Sequence, residues 1–598
     1  MPSSTTSRGV PLYICKLIYI QNASIFFTRR FNSDCGQKCR NGASVKRVIS
    51  QKSLFRFLAA SIILLLLTSI VGCNGLFNQN PLNLESETAK QPGAAVFVSK
   101  GAPVMVSMRI DPNRFEALDG GVKLSKLKTS LFENTALDYK KDVQPWLGKE
   151  ITLAVTTPDI DRVPANGNQP GYLTVVATQD ADKSREFIQI LFSKRVLAGT
   201  SLVVEQYKGV KLISDIPQTA EIKKPLAATV VGDSFVLFAN DAKILREAIN
   251  NIQAPGLSLT SLDNYQQGIK QLDSNTQAVT FLNLKAIGKW QGLNLSSPQS
   301  YDNQLISLAT KSQGLLAEIS LFSSYPIPPA ENVSEKVEVL SYIPAASGLV
   351  IHGKDLSNLG NSNLALLWQQ ITGTISDESA EDVASQITQP LGNLQKRWGI
   401  NFKEDIFSWV KGEYAIALLP NTKDKTPELI FVTEKSSTTP SDISHLDDIA
   451  SQNGLTVSPI TLNDRKIYTW TQLTTTGSKA SNFSIQAKVL GAHTTKDNYE
   501  IFTSSIETMN EVINNKENFF KDNHNFQDSI AAIPQPNQGS VYIDWVQSKD
   551  FIESQLPILK FVEIIGKPFL NKLDSLTISS YDSNQAQLRT GIFFLLNE

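Results

Sequence analysis

The sequence predicts an α+β protein made of two tandem homologous repeats, each a mainly antiparallel sheet packed with helices, behind an N-terminal membrane anchor. Three observations support this fold class: a motif that recurs at a nearly constant distance, strand and helix patterns that interleave without regular alternation, and a short apolar segment near the start. Irregular interleaving of this kind is typical of antiparallel sheets covered by helices.

The recurring motif contains an aspartate, a tryptophan and a glutamate, and an alternating apolar run follows the glutamate. Its two copies lie 263 positions apart and consist of Asp142, Trp146 and Glu150, then Asp405, Trp409 and Glu413. A second block, residues 233–238, recurs as residues 497–502 at an offset of 264. A near-constant offset over two distant blocks indicates tandem duplication of one domain.

The apolar segment follows a basic flank and ends at a cysteine. Residues 57–72 carry no charge, and two lysines and two arginines lie just before them in residues 46–56. A basic flank, a short apolar stretch and small residues at a cleavage site are typical of an export signal. Because Cys73 follows directly, the segment resembles a bacterial lipobox, and the resemblance implies lipid attachment at Cys73.

A single membrane-spanning helix is the alternative interpretation of this segment. Residues 57–77 are free of charge over twenty-one positions, which just reaches the ~20 residues that a hydrocarbon core requires. Either interpretation holds the basic flank on the cytoplasmic side and the rest of the chain outside. We therefore expect a membrane-anchored protein on the periplasmic or extracytoplasmic face.

The two signals together divide the chain into six segments. Residues 1–44 resemble no domain, which favours a true translation start near Val45. Two consecutive prolines stiffen the segment between the repeats. The predicted segments are a leader (1–44), a signal or anchor (45–77), a polar stalk (78–93), repeat 1 (94–324), a proline-rich linker (325–336) and repeat 2 (337–598).

Apolar periodicity predicts the same order of elements in each repeat. The first repeat should contain strands at 104–110, 151–155, 172–178, 228–231, 235–239, 278–282 and 315–322, with helices at 122–134, 183–196 and 242–252. The second should contain strands at 348–353, 414–418, 428–433, 540–543 and 577–581, with a helix over 380–398.

Charge and cysteine content narrow the classes of function. The chain has 56 basic and 57 acidic residues. Ten basic residues and one acidic residue lie in 1–72, so the remainder carries 46 basic and 56 acidic residues, a net charge of −10. A mildly acidic body argues against nucleic-acid binding. No cysteine follows Cys73, so we expect neither disulfides nor a thiolate metal site in the body.

Five short motifs follow the apolar segment, at residues 80–84, 94–95, 97–100, 102–103 and 111–115. Together they resemble a cyanobacterial family catalogued as domain of unknown function 3352. The resemblance implies an N-terminal membrane segment and an exported body, and it implies no activity and no catalytic residues. The chain departs from the family pattern at Ser99, where proline is usual, and at Cys73, where an ordinary membrane helix is common.

No motif of the sequence points to a catalytic, cofactor or metal site. Glycine-rich phosphate loops are absent from the sequence, and the four histidines lie far from one another. A hydrogen-bonded core position is favoured for His352, which falls on a predicted buried strand. For both copies of the aspartate–tryptophan–glutamate motif we favour a structural role, with the aspartate capping a short helix and the tryptophan packing beneath the next strand.

These observations predict a non-enzymatic binding or scaffold protein of the cell envelope. Its expected partners are the membrane, through the N-terminal anchor, and an envelope protein or peptide, with no nucleic acid and no cofactor. The alternative is an exported hydrolase that uses two carboxylates, because paired carboxylates of this kind leave no sequence motif.

Overall fold

The computed structural model describes eleven ranges of the chain. These are residues 91–109, 137–163, 167–218, 225–290, 301–327, 337–361, 392–420, 427–476, 484–514, 517–549 and 569–597. The predicted leader, the anchor segment with Cys73 and most of the predicted stalk lie outside the described residues. The predicted helix at 122–134 and most of the one at 380–398 also lie outside them.

The chain divides into two compact units, and the first extends to residue 295. Its eight described strands are β1 (Val104–Arg109), β2 (Leu147–Thr157), β3 (Gly171–Thr178), β4 (Thr200–Tyr207), β5 (Val210–Pro217), β6 (Ala227–Val231), β7 (Phe235–Ala239) and β8 (Thr276–Asn283). Antiparallel pairing arranges them in the order β8-β1-β2-β3-β7-β6-β5-β4.

The second compact unit begins at residue 296. Its described strands are β9 (Asn303–Lys311), β10 (Gly314–Phe322), β11 (Leu349–Lys354), β12 (Glu413–Leu419), β13 (Glu428–Glu434), β14 (Thr456–Leu462), β15 (Arg465–Thr476), β16 (Ser484–Lys496), β17 (Tyr499–Thr503), β18 (Asn537–Asp544), β19 (Leu573–Asn584) and β20 (Gln587–Leu596). They pair antiparallel in the order β9-β10-β20-β19-β18-β11-β12-β13-β17-β16-β15-β14.

Eight α-helices are described beside these strands. They are α1 (Ala181–Leu197), α2 (Ala242–Gln253), α3 (Asp263–Lys270), α4 (Leu284–Trp290), α5 (Gly392–Trp398), α6 (Thr439–Gln452), α7 (Ile506–Asn514) and α8 (His524–Ala532). Aspartate side chains cap the N-termini of α1 and α2. Asp180 accepts the backbone N–H of Lys183 at 3.0 Å before α1, and Asp241 accepts that of Lys243 at 2.8 Å before α2.

The prediction of two tandem repeats, each with its own sheet, is wrong. The described residues form mostly antiparallel sheet, and no two-repeat structure is shown. The physical reason lies in β10, which the sequence places at the end of the first repeat. This strand is buried at all nine positions and pairs along its whole length with β20, at the C-terminal end of the chain. A fully buried strand requires partners on both edges, so the sheet continues where the predicted repeat would stop.

No helix among the described residues is both long enough and apolar enough to cross a bilayer. The predicted anchor at 45–77 was not part of that set of residues.

Two tryptophans pack against each other in the apolar core of the second unit. Trp398 and Trp470 are each 1% exposed, and their rings meet edge to face with centroids 5.3 Å apart. The indole N–H of Trp398 donates to the carbonyl of Leu490 at 2.7 Å. Gly491 on β16 leaves the space that both rings occupy, because a Cβ there would lie 2.7 Å from Trp470 and 3.1 Å from Trp398.

We predict that Gly491→Ala lowers the free energy of unfolding by about 1–3 kcal/mol, because overpacking a dense core forces side chains out of their preferred positions. Gly256→Ala is the matched control, since nothing lies within 4 Å of a Cβ at that position. Denaturant unfolding of both variants measures the difference. Equal unfolding midpoints for the two variants would show that the two tryptophan rings can accommodate a methyl group at position 491.

Candidate interaction surface

β4 ends the run of strands in the first unit, and among the described residues only β5 pairs with it. A two-residue turn joins the two strands, and both of its residues, Lys208 and Gly209, have positive φ (49° and 83°). Turns with positive φ at both positions match the twist of the strands that they connect and so favour a tight hairpin. The turn fixes the register that places Tyr207 opposite Val210.

This register determines which backbone groups of β4 face away from β5. Hydrogen-bonded and non-hydrogen-bonded pairs alternate along an antiparallel ladder, and the pair beside a two-residue turn is hydrogen-bonded. The N–H of Gln218 donates to the carbonyl of Gly199 at 3.1 Å, which fits the same alternation at the far end of the hairpin. The odd-numbered residues of β4 therefore bond to β5, and Leu202, Val204 and Gln206 direct their N–H and C=O groups to the open edge.

Exposed apolar side chains are frequent on β4 and on the neighbouring elements α1 and β5. Among the described residues, seven of the fourteen exposed large apolar side chains fall between positions 190 and 216. The set comprises Ile190 (36% exposed), Val196 (42%), Leu197 (88%), Leu202 (41%), Val203 (42%), Val204 (57%) and Ile216 (53%). We call these seven residues the β4 edge patch. Exposed apolar clusters of this kind mark interaction sites more often than single exposed side chains do.

Helices on both faces hold the hairpin in place. On one face, Arg246 of α2 donates to both carboxylate oxygens of Glu205 at 2.8 and 3.0 Å, and Tyr207 donates to Asn250 at 3.0 Å. On the other face, buried Arg195 of α1 pairs with Asp215 of β5. Two ion pairs thus fix a strand whose outer edge carries unpaired backbone groups.

The terminal strand β14 of the second unit is protected against the addition of another strand. Among the described residues β14 pairs only with β15, but it contains Pro459 near its middle. Proline has no N–H to donate and is a common device against strand addition at a sheet edge. β4 contains no proline, so its edge is chemically open in a way that β14 is not.

The clearest group of buried titratable side chains surrounds His493 on β16. Its Nε2 lies 3.1 Å from Asp447 Oδ1, and its Nδ1 lies 3.1 Å from Glu500 Oε1. The indole N–H of Trp470 also donates to Asp447, at 2.7 Å, and Thr495 donates to Glu500, at 2.7 Å. The imidazole is 2% exposed and stacks against Tyr468, with centroids 5.2 Å apart.

Two carboxylates shift the titration of this histidine. Burial by itself disfavours the imidazolium, but hydrogen bonds to Asp447 and Glu500 and their charges outweigh burial, so the pKa of His493 is raised. Burial likewise opposes ionisation of Asp447, yet hydrogen bonds from His493 and Trp470 leave the pKa of that carboxyl lowered. The group has the composition of an acid–base pair, but the imidazole lies among aromatic rings and the three side chains engage one another.

His352 and Glu318 occupy separate buried positions. The Nε2 of His352 lies 2.7 Å from the hydroxyl of Ser540, and burial lowers the pKa of this histidine to about 4. Glu318 accepts from Tyr581 at 2.5 Å and from Arg589 at 3.3 Å. The described residues contain no group of three or more His, Cys, Asp or Glu side chains arranged to hold a metal ion.

The structure brings together the aspartate and tryptophan of each recurring motif. Trp146 donates its indole N–H to the carbonyl of Asp142 at 2.8 Å, and the Asp142 carboxylate accepts the N–H of Asp138 at 2.7 Å. Trp409 donates to the carbonyl of Asp405 at 2.8 Å, and Asp405 accepts the N–H of Asn401 at 2.7 Å. Local sequence thus builds one corner geometry in both places.

The two glutamates of the motif have different partners. Glu150 accepts the N–H groups of Gly93 and Ala94 at 3.0 and 2.9 Å, whereas Glu413 accepts the hydroxyl of Tyr499 at 3.2 Å. All these contacts join residues of the chain to one another. That the six residues serve structure rather than a ligand stays a prediction. The proposed lipid attachment at Cys73 lies outside the described residues.

A shallow depression of about 380 Å³ lies on the surface of the second unit. Two of its asparagines already bond to each other, from Asn514 Nδ2 to Asn510 Oδ1 at 2.8 Å. Its lining is mainly amide and carboxylate, from Pro344, Ala346, Glu507, Asn510, Glu511, Asn514 and Asn518. It therefore offers less free energy of binding than the apolar β4 edge patch.

Sequence reasoning missed both β4 and the His493 group. The signal for β4 was present, because Thr200–Tyr207 contains two adjacent valines and an aromatic residue and is followed by a Lys-Gly turn. No sequence signal connects His493 with Asp447, forty-six positions away. Only the pairing of β15 with β16, and α6 beside them, brings these side chains together.

The described residues define a protein of mainly antiparallel sheet in which the terminal strand β4 carries exposed apolar side chains. Residues 58–596 match the model of the family described as protein of unknown function (DUF3352), and the chain belongs to that family. A comparison with curated proteins found no match. A solved structure titled "Structure of crystal form I of TP0453" is similar over 40% of this chain and 80% of its own, at 12% identity and a TM-score of 0.22.

We predict that His493→Gln lowers the free energy of unfolding by about 3 kcal/mol near pH 6, because it removes one partner from a buried charged group. A raised folded pKa stabilises the fold fully below the ordinary imidazole value of 6.5, and this stabilisation is lost as the pH rises through the folded pKa. The lowered pKa of Asp447 contributes above 3.8 and is lost as the pH falls below it.

Unfolding free energies measured between pH 4 and pH 9 test this dependence. The parent chain should lose stability on the alkaline side relative to His493→Gln, so the difference between them should shrink as the pH rises. Exposed His445 supplies the control His445→Gln, which should follow the parent at every pH. A difference that grows with pH would mean that the imidazole is neutral in the folded protein.

Proposed function

We propose that this protein is a non-enzymatic binding or scaffold protein of the cell envelope, tethered to a membrane and exposed on the extracytoplasmic face. One observation carries the binding function: the β4 edge patch combines open backbone groups with apolar side chains on both faces of the same strand. A partner that adds a strand would satisfy those backbone groups and cover those side chains together.

Apolar burial and backbone hydrogen bonding both favour a protein or peptide partner at this edge. Burying an apolar side chain contributes roughly 25 cal/mol per Å² removed from water. A neutral extended peptide supplies both the N–H and C=O groups that a strand edge requires. A small polar solute would satisfy only the backbone groups, so the patch suits a polypeptide better.

The tether rests on the sequence alone. The charge-free segment 57–72 follows a basic flank and precedes Cys73, and the body after it carries a net charge of −10 (46 basic against 56 acidic residues). An acidic body does not bind an anionic bilayer by its surface, so membrane association would depend on that segment. Lipid at Cys73 and a single spanning helix both remain open as the form of the anchor.

We predict that deleting residues 57–72 moves the chain from the membrane pellet to the soluble fraction, because both forms of the anchor need this segment. Fractionation of cells that express the parent or the deletion measures the shift. Cys73→Ser separates the two forms: it abolishes labelling by a radioactive fatty acid if Cys73 is lipidated, and it leaves a spanning helix in the membrane. A parent chain in the soluble fraction would refute the tether.

We predict that a photo-crosslinking amino acid at Val204 captures a protein in intact cells, because this side chain is exposed beside the open backbone groups. Val546, which is 70% exposed and lies outside the strands, is the matched control position and should yield only background. Mass spectrometry then identifies the adduct.

The pattern of labelling decides whether this edge binds a protein. A discrete adduct at Val204, of any protein, supports the binding function. Equal and diffuse labelling at both positions, or none at either, would contradict it, because the patch would then be ordinary surface.

A further inference from the structure

We propose that the partner of the β4 edge is a second copy of this chain, which adds its own β4 antiparallel about a two-fold axis at Val203. The inference rests on the proposed binding function and names its partner. The resulting dimer would have a sheet that runs without interruption from one subunit into the other.

The open backbone groups restrict how two copies of β4 can pair. The even-numbered residues of β4 direct their N–H and C=O groups outward, so an outward residue must lie opposite an outward residue of the other copy. An isologous two-fold contact also requires that if one residue faces a second, the second faces the first. Allowed registers therefore differ from one another by steps of two residues.

One of these registers pairs the three apolar residues of β4 with one another. With the axis at Val203, the two copies of Val203 face each other and Leu202 faces Val204 twice. Shifting the partner by two residues in either direction would instead place Val203 opposite Ser201 or Glu205. Cross-strand apolar pairs stabilise a sheet by roughly 0.2–1 kcal/mol each, so the register centred on Val203 is favoured.

Charge agrees with the same register. Glu205 would face Ser201 of the other copy, so the two acidic side chains do not oppose each other, and each keeps its internal partner Arg246. A shift of four residues would place Glu205 against Glu205, which is unfavourable because like charges directly opposite each other repel. The sequence of β4 is therefore self-complementary in both polarity and charge.

The faces of the hairpin also fit a continuous sheet. Leu202 and its cross-strand neighbour Asp215 point to the side on which α1 lies, because Asp215 pairs with Arg195 of that helix. A two-fold axis perpendicular to the sheet keeps both copies of α1 on that side. The exposed end of α1, with Val196 and Leu197, then lies on the same side as the two Leu202–Val204 pairs.

A cysteine scan of the edge tests both the partner and the register. The full-length chain, purified in non-ionic detergent, is compared with Val203→Cys and Val204→Cys under mild oxidation. Residues at a two-fold non-hydrogen-bonded pair have Cα atoms ~4.5 Å apart, within the range that a disulfide bridges, whereas Cα atoms more than ~7 Å apart cannot be bridged. In the proposed register two copies of residue 204 are offset by two positions and exceed that limit.

We expect Val203→Cys to form a covalent dimer at least about tenfold faster than Val204→Cys or the parent, whose own cysteines all lie at or before Cys73. A mixture of Leu202→Cys and Val204→Cys chains should crosslink although neither does so alone. Light scattering should give twice the chain mass for the parent, and Val203→Lys, which places two ammonium groups at the axis, should weaken the dimer by about tenfold or more.

A parent chain that is monomeric at micromolar concentration, or crosslinking as fast at position 204 as at 203, would overturn the proposal. Val203 is 42% exposed, so the circular dichroism spectrum of Val203→Lys should match that of the parent and exclude misfolding as the cause. If photo-crosslinking at Val204 instead captures a different protein, self-association fails while the binding function stands. Absence of any adduct rejects the binding function itself.

Discussion

The hydrogen-bonding requirement of strand edges governs this structure. Each strand leaves a row of N–H and C=O groups on both sides, and a buried row without partners costs too much free energy to persist. β10 shows the consequence most clearly, because all nine of its residues are buried and both of its edges are occupied, by β9 and by β20. The order of strands follows from satisfying such edges rather than from their order along the chain.

The same requirement explains why the terminal strands of the two runs differ. An edge strand in water keeps its backbone groups hydrated, so it needs some feature that prevents uncontrolled pairing. In β14 Pro459 removes a donor near the middle of the strand. β4 instead presents two adjacent exposed valines and a leucine, which makes its edge favourable for addition. The two terminal strands therefore differ: β14 lacks one donor, whereas β4 exposes apolar side chains.

The sequence could predict local geometry more readily than strand partners. Strands such as β1, β3, β6 and β7 and helices α1 and α2 follow from apolar periodicity and aspartate caps, which act over a few residues. The corner geometry at Trp146 and Trp409 also recurs, because bonds four residues apart determine it. Pairing of β10 with β20 joins residues more than 260 positions apart, and no local pattern of the sequence records it.

The distribution of charge shows why binding is easier to support than catalysis. Asp447, His493 and Glu500 have the composition of an acid–base group, yet aromatic rings enclose the imidazole and its two nitrogens are each matched to a carboxylate. Arg195 with Asp215, and Glu318 with Tyr581, likewise satisfy one another within the packing. A catalytic acid or base must reach the proton that it transfers, and each of these groups already has hydrogen-bond partners within the chain. The groups left unsatisfied at the described surface of β4 are backbone amides and carbonyls flanked by apolar side chains, and such groups favour association with another strand.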